Sequence, residues 1–193
     1  MIRFPPKNVF LQTNPAGHVS IAGYAASVTS IETNLQTSWL LGGATAWSRD
    51  VIEKHQHPIN FPTRWAVCED LIYSYPLGRE YRLMVAADAN AYHNETYSDM
   101  SFRQGIFYGL SGAIMRYHFV RQNPDLKTWA FFWMNFGLVL GNLFKGIING
   151  PRHFGLCFGI TLGLSRILIS ACSNKDSTNL ARQLYSERIL DKM

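Results

Sequence analysis

Glycine recurs at every fourth position in three consecutive apolar stretches of this chain. The positions are Gly105 and Gly109, then Gly137 and Gly141, then Gly155, Gly159 and Gly163. Four residues make about 1.1 turns of α-helix, so each set lies along one helix face. In water, a glycine inside a helix costs about 1 kcal/mol relative to alanine. A chain that carries this many needs a compensating gain. Close approach of two backbones supplies it, through dispersion and weak Cα–H···O contacts. Such packing matters most in lipid, where apolar burial no longer drives helices together. The spacing predicts a tight helix bundle.

Charge places that bundle. From Gln104 to Asn174 the only acid is Asp125, against Arg116, Arg121, Lys127, Lys145, Arg152 and Arg166. Soluble domains are about a quarter charged, so a stretch this poor in carboxylates points to lipid. Mean hydropathy over all 193 residues is only −0.05, so only part of the chain is expected there. Three segments reach the length of a short span: Gln104–Val120, Thr128–Phe144 and Phe154–Ser173. Breakers separate them, at Asn123-Pro124-Asp125 and at Asn149-Gly150-Pro151-Arg152. The buried core of a soluble bundle is the alternative, but Thr128–Phe144 lacks the charged face such a helix needs.

The remainder divides by composition. Residues 1–18 read as an extended arm, broken by Pro5, Pro6, Pro15 and Gly17. Residues 19–48 hold one charge, Glu32, and many small residues, and read as a first membrane helix region with Trp39 and Trp47 at the interface. Residues 49–100 hold most of the acids and read as an extramembrane insertion with helices at Thr63–Tyr75 and Arg79–Tyr92. Residues 101–173 carry the glycine-ridged helices. Residues 174–193 form an amphipathic C-terminal helix. The fold class expected is all-α: a bundle of three to four short transmembrane helices with an extramembrane helical insertion.

Few residues suggest chemistry. His55 and His57 share one side of an extended segment, but nothing in the spacing supplies further metal ligands. Asn94-Glu95-Thr96 matches a glycosylation sequon, without a secretory signal to accompany it. Cys68, Cys157 and Cys172 form no CxxC pair. No nucleophile elbow, phosphate loop or HExxH helix occurs, so no enzymatic role, cofactor or metal is expected. Net charge is +5, but the basic residues are scattered, which argues against nucleic acid. Arg116 lies near a helix end and is expected to snorkel to headgroups. Arg166 lies deeper and is a candidate to meet a partner's acid or a lipid phosphate. Lys145 and Arg152 flank a turn and are candidates to hold an anionic phospholipid such as cardiolipin.

From Ser101 to Ser170 the order is a glycine-ridged helix, Val120-Arg121-x-x-Pro124-Asp125, a second helix, and His153-Phe154-Gly155 opening a third ridged helix. That order resembles the Tim translocase superfamily of mitochondrial inner-membrane proteins, and within it the accessory subunit of respiratory complex I. The resemblance implies four transmembrane helices and a structural subunit without catalysis. Its partners would be other subunits of a membrane complex and lipids, and its location the mitochondrial inner membrane. The chain departs from the family in the long stretch before Ser101 and in the aromatics Trp129, Phe131, Phe132, Trp133 and Phe136. Other readings stay open: a subunit of another respiratory complex or of ATP synthase, a protein-translocase channel component, or a soluble helical interaction domain.

Overall fold

A computed structural model describes residues 10, 15–28, 31–56, 67–89 and 101–173. Among them the chain is mostly helical. Three long helices follow one another: α3 at Phe102–Gln122, α4 at Thr128–Asn149 and α5 at Pro151–Cys172. Two short ones precede them, α1 at Arg49–Lys54 and α2 at Glu69–Leu77. A two-stranded antiparallel sheet pairs β1, Leu35–Thr37, with β2, Leu83–Val85.

The long helices begin and end for local reasons. Ser101 and Gln104 form a reciprocal capping box, with Gln104 N donating to Ser101 Oγ at 3.2 Å and Ser101 N to Gln104 Oε1 at 2.7 Å. Asn123 ends α3 and turns its amide back to donate to Phe119 O at 2.7 Å. Gly150, at φ +98°, makes the turn between α4 and α5. Pro151 then opens α5 at a position that needs no N–H donor. The last two helices therefore start or end several residues outside their expected bounds.

α4 and α5 are long and apolar enough to cross a membrane, with mean hydropathy of 1.4 and 1.7 over their best stretches. Only 28% and 33% of those stretches is buried within the chain, so their apolar side chains face outward. α3 does not meet the same measure; Arg103, Arg116, His118 and Arg121 interrupt it. It is instead the central helix. α5 covers one side of it, and residues 19–26 and α2 cover its C-terminal half. Ala22, Leu71, Phe119, Phe131, Met134 and Ile167 are all buried in that junction.

Several expectations are corrected. The described residues of 19–48 form no α-helix. Ser20 accepts a hydrogen bond from Tyr24 N at 3.2 Å, and Gly23 adopts φ +74°, which together fold residues 17–26 into a tight turn. Serine and threonine hydroxyls compete for backbone groups in this way, and small residues did not outweigh them. The division at residue 49 also fails. β1 pairs with β2 across it, and Ser74 Oγ accepts from Leu40 N at 2.9 Å, so residues 15–28, 31–56 and 67–89 make one lobe. The sheet makes the chain mostly helical rather than all-α. In place of a helix over Arg79–Tyr92, Gly78 closes α2, a turn follows, and β2 occupies Leu83–Val85. α2 itself starts at Glu69, because Cys68 before it sits in the left-handed region at φ +68°. Most of the arm, His57, the sequon at Asn94 and the amphipathic tail lie outside the described residues.

Candidate functional site

The α3–α5 seam is built from glycine on both sides. A Cβ on Gly105 would lie 3.0 Å from Leu156 N, and one on Gly109 would lie 2.8 Å from Ile160 N. Reciprocally, a Cβ on Gly155 would meet Phe102 C at 3.0 Å, and one on Gly159 would meet Ile106 C at 2.8 Å. At Gly163 it would lie 2.8 Å from the Cβ of Ala113. Each obstacle but the last is backbone, which cannot swing aside. Gly105 thus faces Gly155, Gly109 faces Gly159, and Ala113 faces Gly163. Both numberings rise together, so α3 and α5 run parallel, and α4 returns antiparallel alongside α5. The four-spaced glycine strips of the two helices lie against each other, backbone to backbone.

The glycines of α4 behave differently. A Cβ on Gly137 would strike the ring of Phe10, which packs at 5.4 Å from Trp133 and 6.3 Å from Phe136, measured between ring centroids. Gly137 therefore receives a side chain and not a helix backbone. At Gly141 an added Cβ would meet nothing within 4 Å. The expectation that Gly141 packs a neighbouring helix finds no such neighbour among the described residues: the seam takes α3 and α5. Gly146, which the spacing did not single out, does pack. A Cβ there would touch the Phe154 ring at 2.8 Å, which closes the α4–α5 hairpin.

Four basic residues were candidates for lipid or partner contact. Lys145 and Arg152 come together at the hairpin end. Asn142 Nδ2 donates to Leu138 O at 2.9 Å, which leaves its Oδ1 to accept from His153 Nδ1 at 3.1 Å. The remaining ring nitrogen of His153 then accepts from Arg152 Nε at 3.3 Å. His153 is buried, and the charges of both Lys145 and Arg152 reach it. His153 and Asn142 are the residues that sequence reasoning missed here. Their separation places them on one level only once the turn at Gly150 is known.

Arg116 is not a snorkelling residue. The lobe lies over it: a Cβ on Gly23 would approach its Cγ at 3.6 Å, and its guanidinium sits 5.7 Å from the centre of the Tyr24 ring. Its Nε is buried without a hydrogen-bond partner among the described residues. It also lies near Cys68, whose thiol is pushed up by burial while the arginine charge opposes that shift. Arg166 is half-buried on α5, beyond Gly163.

A polar latch joins the lobe to the α3–α4 turn. Tyr75 and Arg79, both from the end of α2 and its turn, converge on Asp125. Arg79 also donates to Asn123 Oδ1 at 2.9 Å and stacks 5.1 Å from the Tyr75 ring centre. Burial, then the hydrogen bond to Asp125, pushes the Tyr75 hydroxyl up to about 12. Lys127 N donates to Ile21 O at 2.8 Å beside it. Among the described residues, no group of three His, Cys, Asp or Glu side chains is placed to hold a metal.

No model of a known protein family matches the chain, and no curated protein or solved structure matches it either.

Proposed function

We propose that the chain is a non-catalytic integral-membrane subunit whose function is packing: it supplies a rigid, glycine-seamed bundle to a larger assembly. The observation that carries the reading is the backbone-to-backbone α3–α5 seam beside two helices with outward apolar faces. Ile147 and Ile148 are 71% and 74% exposed, and Trp129 is 63% exposed, a surface that lipid or another subunit would cover. The seam also sets depth. Residues 105–113 lie beside residues 155–163, so if α5 crosses the bilayer, the uncharged part of α3 crosses with it. The polar C-terminal half of α3 is where the lobe covers Arg116 and the latch sits. Three inserted helices follow, with the lobe at one end and the Gly150 turn at the other.

The finer assignment is an accessory subunit of a mitochondrial inner-membrane respiratory complex, complex I in the first instance. It rests on the family resemblance of residues 101–170. A translocase channel would need polar side chains gathered on a cavity. Asn135 is buried and donates to Phe131 O at 2.9 Å, Asn142 is engaged with His153, and Thr161 donates to Cys157 O at 2.9 Å. These groups are used within the bundle, which favours the scaffold reading.

The test is a native gel of mild-detergent extracts from mitochondria, probed for this chain. Co-migration with complex I is expected. Migration with another respiratory complex or with ATP synthase would move the assignment there, and migration alone would sink it. Release by alkaline carbonate would remove the membrane reading altogether.

A further inference from the structure

The lobe holds a partly enclosed cleft of about 450 Å³, within the usual size of a small-ligand pocket. It is lined by residues 39–41, 44–46, 84–86 and 89, with Gly17 and Val28. These segments are tied together within the chain itself. Ser38 N donates to Gly17 O at 2.8 Å, Leu40 N to Ser74 Oγ at 2.9 Å, and Ala87 N to Asn34 Oδ1 at 2.9 Å. Trp39 lines the cleft and is buried, whereas Leu41 and Met84 line it and are 49% and 37% exposed, so they stand at its mouth. None of the lining residues carries a charge. The two polar side-chain groups in the wall are already engaged: Trp39 Nε1 donates to Ala26 O at 3.3 Å, and the Thr45 hydroxyl donates to Leu41 O. Neither has a proton left to offer a ligand. Buried water needs polar partners, and these side chains supply few. Apolar atoms in the cleft would instead restore the dispersion contacts that an empty wall forgoes.

We propose that this cleft binds the alkyl chain of a neutral single-chain amphiphile, a long-chain alcohol or acyl ester, with its polar end at the mouth beside Leu41 and Met84. No lining side chain would pair with a headgroup charge, so affinity comes from burying methylenes, about fourfold for each. The volume lies in the lower half of the range for ligand pockets, which suits one chain and not two. An extended peptide would bring N–H and C=O groups that these side chains leave unsatisfied, at a desolvation cost an alkyl chain does not carry. Every wall of the cleft belongs to the lobe, so the inference stands independently of the membrane reading above.

The experiment uses the full chain in nanodiscs, with fluorotryptophan at its five tryptophans. Linear primary alcohols from butanol to dodecanol are titrated in and followed by fluorine NMR, with Trp39→Phe assigning the Trp39 signal. That signal is expected to shift saturably. Affinity should rise about fourfold per methylene until the cleft is full, and then level off. Ala46→Phe and Ala86→Phe add bulk at exposed positions of the lining. Each should weaken the longer alcohols roughly 15-fold, as when two methylenes lose their place, and should move the levelling to shorter chains. A single Trp39 signal in each variant shows that the lobe still folds. A Trp39 shift that grows without saturating, or affinities that climb without levelling, would mean partition into the bilayer and would overturn the site. Unchanged affinity in both alanine variants would overturn it too. Dodecanoate should bind no tighter than dodecanol; tighter binding of the anion would overturn the neutral ligand class.

Discussion

α3 and α4 carry the same glycine spacing and use it in different ways. Gly105 and Gly109 of α3 lie against the backbone of α5, so closely that no side chain fits. On α4, Gly137 is filled by the ring of Phe10, and a Cβ on Gly141 would meet none of the described residues within 4 Å. The spacing therefore creates a flat strip but does not decide what covers it. The partner decides: α5 presents glycines at the matching levels, while none of the described residues offers Gly137 and Gly141 a second flat strip. A glycine notch without a facing backbone accepts an aromatic ring equally well.

Substitutions that add volume should separate the two helices sharply. Gly159→Val is the largest expected effect, more than about 3 kcal/mol, because the obstacle is the Ile106 backbone and overpacking in a yielding core already costs about 1–3 kcal/mol. Thermal unfolding in detergent would measure it, and a loss comparable to that of a surface change would break the comparison. Gly109→Ala should cost about 1–3 kcal/mol. Gly137→Ala is expected to cost about 1 kcal/mol, since only the Phe10 ring must move. In a Phe10→Ala background that cost should vanish, a coupling that a double-mutant cycle reads directly.

The latch gives a smaller effect with a pH signature. The Tyr75 hydroxyl is raised in the fold to about 12, from an ordinary value near 10. Its contribution is therefore complete below about pH 10 and lost as pH rises from there through about 12. Stability measured across that window should fall in wild type and fall less in Tyr75→Phe, which itself costs about 0.5–1.5 kcal/mol at neutral pH. Parallel curves would remove Tyr75 from the latch. Gly141→Ala is the smallest change and has the opposite sign: with open space around it, it should stabilise by about 0.5–1 kcal/mol through helix propensity.

The long helices were legible in the sequence because apolar runs, breakers and four-residue spacing are local signals. Pairing between them was not. That Gly105 faces Gly155 follows from the path of the chain through α4. The lobe was misread at residues 19–48 because alanine and glycine suit a helix interface and a tight turn alike, and the Ser20–Tyr24 hydrogen bond that decides the matter is a tertiary outcome. Arg116 looked like a residue at the end of a span, and its cover comes from Tyr24, far away in sequence. At the hairpin end, Lys145 and Arg152 were legible as flanking charges. His153 was not, since its role depends on the level at which the turn sets it opposite Asn142.

Parallel packing of α3 on α5 is most directly tested by cross-linking. With Cys68, Cys157 and Cys172 replaced by alanine, Ala113→Cys paired with Gly163→Cys brings together two positions at which a Cβ added to Gly163 would lie 2.8 Å from the Cβ of Ala113, close enough for a disulfide after a small shift. Mild oxidation in native membranes should link them within one chain, while Ala113→Cys with Gly155→Cys should stay reduced. A link to position 155 in place of 163 would mean the helices run antiparallel, and the seam described here would be wrong.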